Sequence, residues 1–299
     1  MTKVRKRKIK IKKKNFLIFI IFLLLITIIF SKITSLLLNL STNNKEKTEE
    51  KKEFSETEKK LKKLNNVNKK ITYFKINNLD RYLAYQNKNK KLNTTQIIKD
   101  VNMDLDKEPY EDMNEAKNLN KTNILVNKHN YLRKNYVPEN LEKINTRYAL
   151  SDMSLVNEAK NAFEKMSSTA LNENLKIIAM STYRSYEYQV NLYNNYVKSD
   201  GKDAADTYSG RPGNSEHQTG LAVDVYNQKE NYTNFEKTEE YIWMQNNAYK
   251  YGFILRFPKG KEKETGYEFE SWHYRYVGKS IAKEIKERNI SLEEYIATH

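Results

Sequence analysis

Ser215-Glu216-His217-Gln218-Thr219-Gly220-Leu221-Ala222-Val223-Asp224 is the stretch on which the reading of this 299-residue chain turns. The apolar run after Gly220 predicts a strand over 221–225, with His217 at its mouth and Asp224 on it. Gly220 lets the backbone bend, or approach something closely, between the two. A second dense polar stretch follows about fifty residues on: Glu270-Ser271-Trp272-His273-Tyr274-Arg275-Tyr276-Val277-Gly278. The chain has four histidines, and two fall in these stretches. His129 and His299 sit in no comparable context.

Two imidazoles and a carboxylate suit a catalytic zinc tripod that keeps a fourth position for water. Zinc lowers the pKa of such a water to ~7 and supplies hydroxide at neutral pH. A neighbouring carboxylate can then carry the proton to the leaving amine. Glu270, three residues before His273, is the candidate, but a straight extended segment would turn it to the opposite face, so a bend is needed near Ser271-Trp272. On these residues alone, a core role for His217 and a turn or capping role for Asp224 stay open.

Segment 71–123 reads as helical, with amphipathic helices at 78–85 and 94–101. Ile124-Leu125-Val126 predicts a short strand, and Ser154 the cap of a helix carrying Leu155, Ala159, Ala162, Phe163 and Met166. Further strands are expected at 175–180 and 253–257, and an extended segment at 266–276; further helices are expected at 186–197, 238–251 and 279–288. Helices and strands mix without regular alternation, which predicts an α+β fold.

The net charge is +15, but nine of the positives precede the first apolar residue run, leaving +6 dispersed among many acidic residues. That distribution marks membrane topology and not a nucleic-acid surface. The apolar sequence from Phe16, continuing past Lys32 to Leu40, is long enough for a spanning helix, which needs roughly 20 residues. No clean small-residue cleavage site follows it, which favours an uncleaved anchor over a signal peptide, with cleavage between Ser31 and Ser41 the alternative. The expected order is a basic cytoplasmic head (1–14), a single-pass transmembrane anchor (15–38), a charged spacer (39–70), the helical extension (71–123) and an extracellular catalytic domain (124–299). The absence of cysteine removes disulfides, thiolate metal sites and cysteine nucleophiles.

Ser215-x-His217-x-x-Gly220-x-x-x-Asp224 followed by Glu270-x-Trp272-His273 resembles the zinc D-alanyl-D-alanine carboxypeptidases of the vancomycin-resistance type and their L,D-carboxypeptidase relatives. Ser181-Thr182-Tyr183-Arg184-Ser185, Gln189 and Tyr274-Arg275-Tyr276-Val277-Gly278 extend the likeness over 175–278, and several motifs in order are more specific than any one. The stretches 123–128 and 136–141 also resemble the family's lead-in. The resemblance implies a Hedgehog/D,D-peptidase-like zinc domain with a small antiparallel sheet. It implies zinc (Zn2+) on His217, Asp224 and His273, Glu270 as general base and acid, and Arg184 steadying the oxyanion. Ser215 would meet the substrate's C-terminal end, with Gln189 a weaker pocket candidate. The implied partners are peptidoglycan stem peptides, from which a C-terminal D-alanine would be cut.

Other classes fit less well. The Ser-x-x-Lys pairs at 199–202 and 280–283 lack the companion elements of serine D,D-peptidases, and no His-Glu-x-x-His occurs. A silent wall-binding domain would be expected to lose a ligand or the base. An endopeptidase on the same fold stays an alternative.

Overall fold

The computed structural model describes residues 59–62, 64, 71–229 and 231–299. The basic head, the expected anchor and most of the spacer lie outside them. Among the described residues no helix is long and apolar enough to cross a membrane. Leu64–His299 forms one compact unit.

Two helices open that unit, α1 (Leu79–Lys88) and α2 (Thr94–Asn102), the latter capped by Asn93, whose side chain accepts from the Gln96 N–H. Two small strand pairs follow: β1 (Asn114–Glu115) runs parallel to β2 (Asn130–Tyr131), and β3 (Leu141–Lys143) antiparallel to β4 (Ser154–Val156). The long α3 (Asn157–Asn172) leads to β5 (Ile178–Ser181), α4 (Tyr186–Asp200) and α5 (Lys202–Tyr208). A 3-10 turn, Glu216–Thr219, precedes β6 (Ala222–Tyr226). Then come α6 (Glu239–Asn247), β7 (Phe253–Leu255), the single turn α7 (Glu262–Thr265), β8 (His273–Tyr276), α8 (Lys279–Arg288) and α9 (Leu292–Thr298).

The central sheet has the order β5-β6-β8-β7 with every neighbour antiparallel. Its register pairs Ala222 with Arg275, Val223 with Tyr274 and Asp224 with His273. Because side chains alternate between faces, this sorts the sequence into two sets. Val223, Val225, Tyr274, Tyr276 and Phe253 enter one buried cluster with Ala159, Phe163, Met166 and Ala170 of α3. Asp224, His273 and Arg275 take the other face. The Phe163 and Phe253 rings meet edge-on at 6.2 Å. On β5 an irregularity between Ala179 and Ser181 shifts the pairing so that Ser181, not Met180, faces Asp224.

Several local expectations are corrected. Ile124-Leu125-Val126 is not a strand: the Ile124 and Thr122 carbonyls accept from Arg275 Nη2 (2.8 and 3.0 Å) instead of from a neighbouring chain. Ser154 does not cap a helix; it opens β4, its N–H donating to Thr182 Oγ1, and the helix begins at Asn157. The strand expected from Leu175 starts at Ile178, because Asn174 (φ +61°) and the Leu175 N–H donating to the Ala170 carbonyl close α3. The helix expected over 238–251 changes to 3-10 form at Ala248. The expected extended run 266–276 holds only one strand, His273–Tyr276, preceded by a turn at Ser271 and Trp272.

Candidate active site

His217 is the best-fixed member of the site. It lies on the 3-10 turn, and its Nδ1 donates to the Thr182 carbonyl at 2.6 Å, which leaves the Nε2 lone pair facing Asp224 Oδ2 at 3.3 Å. Gly220 ends that turn in the left-handed conformation (φ +67°). A Cβ there would meet Leu141 Cδ2 at 2.8 Å and Val156 Cγ2 at 3.1 Å, so both readings of this glycine, bend and close approach, hold together. Arg184 enters from the segment after β5. Its Nε donates to Ser181 Oγ (2.9 Å) and its Nη2 to Asp224 Oδ2 (2.7 Å).

The sheet supplies the remaining members. Asp224 Oδ1 sits 3.0 Å from His273 Nδ1, without the angles of a hydrogen bond, and the two imidazoles stand perpendicular with centroids 5.0 Å apart. One nitrogen from each imidazole and one Asp224 oxygen all lie within 4.8 Å of each other, an arrangement that could hold a metal ion. The donor set fits zinc: two buried imidazoles, one with its tautomer fixed from behind, and a carboxylate oxygen lacking a hydrogen-bond partner. The turn at Ser271 and Trp272 is the bend that the sequence required, and it returns Glu270 Oε2 to 3.6 Å from His273 Nδ1.

Burial and charge shape the titration of these groups. Burial pushes the Glu270 carboxyl up to about 8. Burial would raise Asp224 too, but His217, His273 and Arg184 hold it well below the usual carboxylate range. Burial, helped by Arg184, lowers His217. For His273 burial is outweighed by the carboxylates of Asp224, Glu216 and Glu270, which raise it to about 9. A metal ion would take the place of that proton.

The triad opens on a cavity of about 550 Å³ lined by Arg184, Gln189, Ser215, Glu270, Trp272 and tyrosines 196, 208 and 232. The candidate site residues His217, Asp224, His273, Glu270, Arg184, Ser215 and Gln189 all line this one cavity. Gln189 is buried on α4, donating to the Gly210 carbonyl (2.8 Å) while its Oε1 has no partner. Trp272 packs edge-on against Tyr232 at the rim (5.1 Å), whereas Tyr276 faces the core, its hydroxyl donating to Glu158. His129 and His299 do not line the cavity.

Sequence reasoning missed the charged layer behind the triad. Glu216 Oε1 accepts from Arg256 Nε and Arg275 Nη1, both at 2.8 Å, and Arg256 also forks onto Glu293 at 2.9 and 2.6 Å. The available signal was an arginine inside the apolar strand expected at 253–257 and another between two tyrosines in the 270–278 motif.

Comparison with known proteins agrees with this geometry. The D-alanyl-D-alanine carboxypeptidase family VanY matches residues 152–279. YodJ of Bacillus subtilis (strain 168) is 42% identical over 184 residues, covering 57% of this chain and 65% of YodJ, so the match leaves about a third of that relative unspanned. The bifunctional D-Ala-D-Ala dipeptidase and D-Ala-D-Ala carboxypeptidase VanXYC of Enterococcus gallinarum is 32% identical, with 57% of this chain and 91% of that protein covered. Among solved structures, the LdcB LD-carboxypeptidase superposes with a TM-score of 0.59 at 38% identity, over 63% of this chain and 91% of LdcB. The vancomycin-resistance D,D-pentapeptidase VanY, solved in complex with Zn(II), gives 0.52 at 32% identity, over 58% and 98%. With nearly the whole of these smaller relatives covered, and the motifs in one cavity, the chain belongs to the D-alanyl-D-alanine carboxypeptidase (VanY) family.

Proposed function

We propose that this chain is a zinc carboxypeptidase that removes the C-terminal D-alanine from peptidoglycan stem peptides. The observation that carries the proposal is the convergence of His217, Asp224 and His273 beside the buried Glu270 in one cavity. The Zn(II) complex of the related D,D-pentapeptidase supports zinc as the metal. Zinc held by the three ligands would supply a Lewis acid and a water acidified to near neutral pH.

The chain's own residues would do the rest. Glu270, held in a dry setting with its pKa about 8 before any metal binds, is placed to take a proton from the attacking water and pass it to the departing amine. Arg184 is anchored on Ser181 and Asp224, and it lines the cavity where negative charge develops on the scissile carbonyl oxygen. Ser215 and the unpartnered Gln189 Oε1 offer polar contacts for the substrate's terminal residue. The rim tyrosines and Trp272 give flat apolar surface to the peptide leading in.

The same proposal places the domain outside the cytoplasmic membrane on a single-pass anchor, with the N-terminus cytoplasmic. Its support is the nine basic residues directly ahead of the apolar run from Phe16. Labelling of intact cells with a membrane-impermeant reagent should mark the 124–299 segment; labelling only after lysis would contradict this placement.

The activity is tested with stem peptides. Purified protein is incubated with a pentapeptide ending in D-Ala-D-Ala, a tetrapeptide ending in L-Lys-D-Ala and a cross-linked dimer, and products are read by mass. Loss of one D-alanine from either linear stem supports the carboxypeptidase reading and names its preference. Cleavage of the dimer alone makes the protein an endopeptidase, and no cleavage of any substrate by zinc-loaded protein refutes the proposal.

A further inference from the structure

Behind the triad, four charged side chains are removed from water: Arg256 and Arg275 are fully buried, with Glu216 2% and Glu293 1% exposed. Two guanidiniums face two carboxylates, so the set is neutral only while all four are present. Glu293 lies on α9, outside the 152–279 segment that matches the family. It reaches back to fork onto Arg256, and Asn127 Nδ2 donates to its Oε1 at 3.2 Å.

The distribution of partners is uneven in a way that points forward to His273. Glu216 Oε1 takes both arginine contacts, and Glu216 Oε2 has no hydrogen-bond partner. That free oxygen lies 3.6 Å from His273 Nε2, which is also buried and without a partner. His273 turns its other nitrogen, Nδ1, toward Asp224. A ligating histidine is commonly oriented by a carboxylate on its far nitrogen, and losing such a partner costs about 10–100-fold in metal affinity.

We propose that Glu293 is a positioning residue for the metal centre, acting through Arg256 and Glu216 on His273. By engaging both Nη atoms of Arg256, Glu293 leaves that arginine one contact with Glu216, so Oε2 stays available to the imidazole. Without the Glu293 charge, two buried guanidiniums compete for a single carboxylate. Glu216 then turns Oε2 toward Arg256, the carboxylate oxygen 3.6 Å behind His273 Nε2 is drawn away, and an uncompensated positive charge remains close to a cation site. This inference rests on the zinc reading above.

The test is the zinc dissociation constant of the full chain, measured by competition with a chromophoric chelator, with folding followed by circular dichroism. Glu293→Gln keeps the side-chain volume and removes the charge; its zinc affinity is expected to fall by about 10-fold or more. The control is Glu294→Gln on the same helix, which removes ion pairs to Lys99 (2.7 Å) and Lys261 (3.8 Å) that do not touch Glu216. It should lower thermal stability and leave zinc affinity unchanged. If Glu293→Gln does not fold, Glu293→Asp keeps the charge with a shorter reach to Arg256 and should still weaken zinc several-fold. A folded Glu293 variant with unaltered affinity overturns the proposal, as does an equal loss in Glu294→Gln, which would reduce the effect to helix docking. Failure of the unsubstituted chain to take up zinc overturns the metal reading itself.

Discussion

Asp224 and His273 are cross-strand partners on β6 and β8, with Asp224 Oδ1 3.0 Å from His273 Nδ1. One strand register therefore brings together two candidate ligands that are almost fifty residues apart in the chain. A one-residue slip would turn one of them into the core and expose the valines and tyrosines that pack on α3. Burial of Val223, Val225, Tyr274 and Tyr276 on one face thus sets the geometry of the polar site on the other.

Asp224→Asn should keep this packing and lose the metal. The amide preserves the shape but removes the anionic ligand and the charge partner of Arg184. Zinc affinity measured by chelator competition should drop more than about 100-fold, beyond the loss typical of a residue that only supports a ligand. The far-ultraviolet circular dichroism spectrum should be unchanged.

Glu270→Gln separates metal binding from proton transfer. Glu270 is not one of the three converging ligands, so the variant should bind zinc as the unsubstituted chain does. Its kcat for D-alanine release should fall by about 10²–10⁴, the usual worth of a positioned acid–base group. A variant retaining most of its kcat would remove Glu270 from the chemistry.

Gly220→Ala should damage both fold and site. A left-handed φ of +67° and contacts of 2.8–3.2 Å from its Cβ to Leu141, Val156 and Pro138 leave the methyl without room. Destabilisation of about 1–3 kcal/mol is expected from strain and overpacking. Denaturant unfolding reads the first effect; weaker zinc binding reads the displacement of His217 against Asp224.

The α4–α5 segment beside the cavity carries a pH-dependent tie of its own. Asp206 accepts from Arg211 Nε and Nη2 (3.0 and 2.7 Å) and from Tyr193 (2.7 Å), joining α4, α5 and the loop before Ser215. Partial burial opposes its charge, but these partners prevail and lower its pKa. A carboxyl depressed on folding contributes stability above its unfolded pKa of about 3.9 and loses it as pH falls through the lower folded value. Asp206→Asn should therefore have a lower Tm than the unsubstituted chain at pH 6–7, and the two should converge as pH falls through the lowered folded-state pKa of Asp206. A gap that is constant with pH would mean that the charge of Asp206 contributes nothing.

The site was more legible than the fold around it. His217, Asp224, Glu270 and His273 fall in two short motifs, and the need for a bend at Ser271-Trp272 followed from strand periodicity alone. Segments whose backbone bonds go to side chains were misread. Ile124-Leu125-Val126 has the composition of a strand, yet the Ile124 carbonyl accepts from Arg275, a contact with no local trace. Ser154 resembles a helix cap, but pairing with β3 claims it first. Glu216 stood inside the quoted motif and still went unassigned, because its partners Arg256 and Arg275 are distant in sequence and meet it only once the sheet has formed.

Zinc titration into the metal-stripped full chain, following D-alanine release from a stem peptide, tests the central claim most directly. Activity should be absent without metal, rise in proportion to added zinc and level off at one equivalent. Release that persists in the stripped protein, or that stays absent at saturating zinc on every stem offered, would contradict the account.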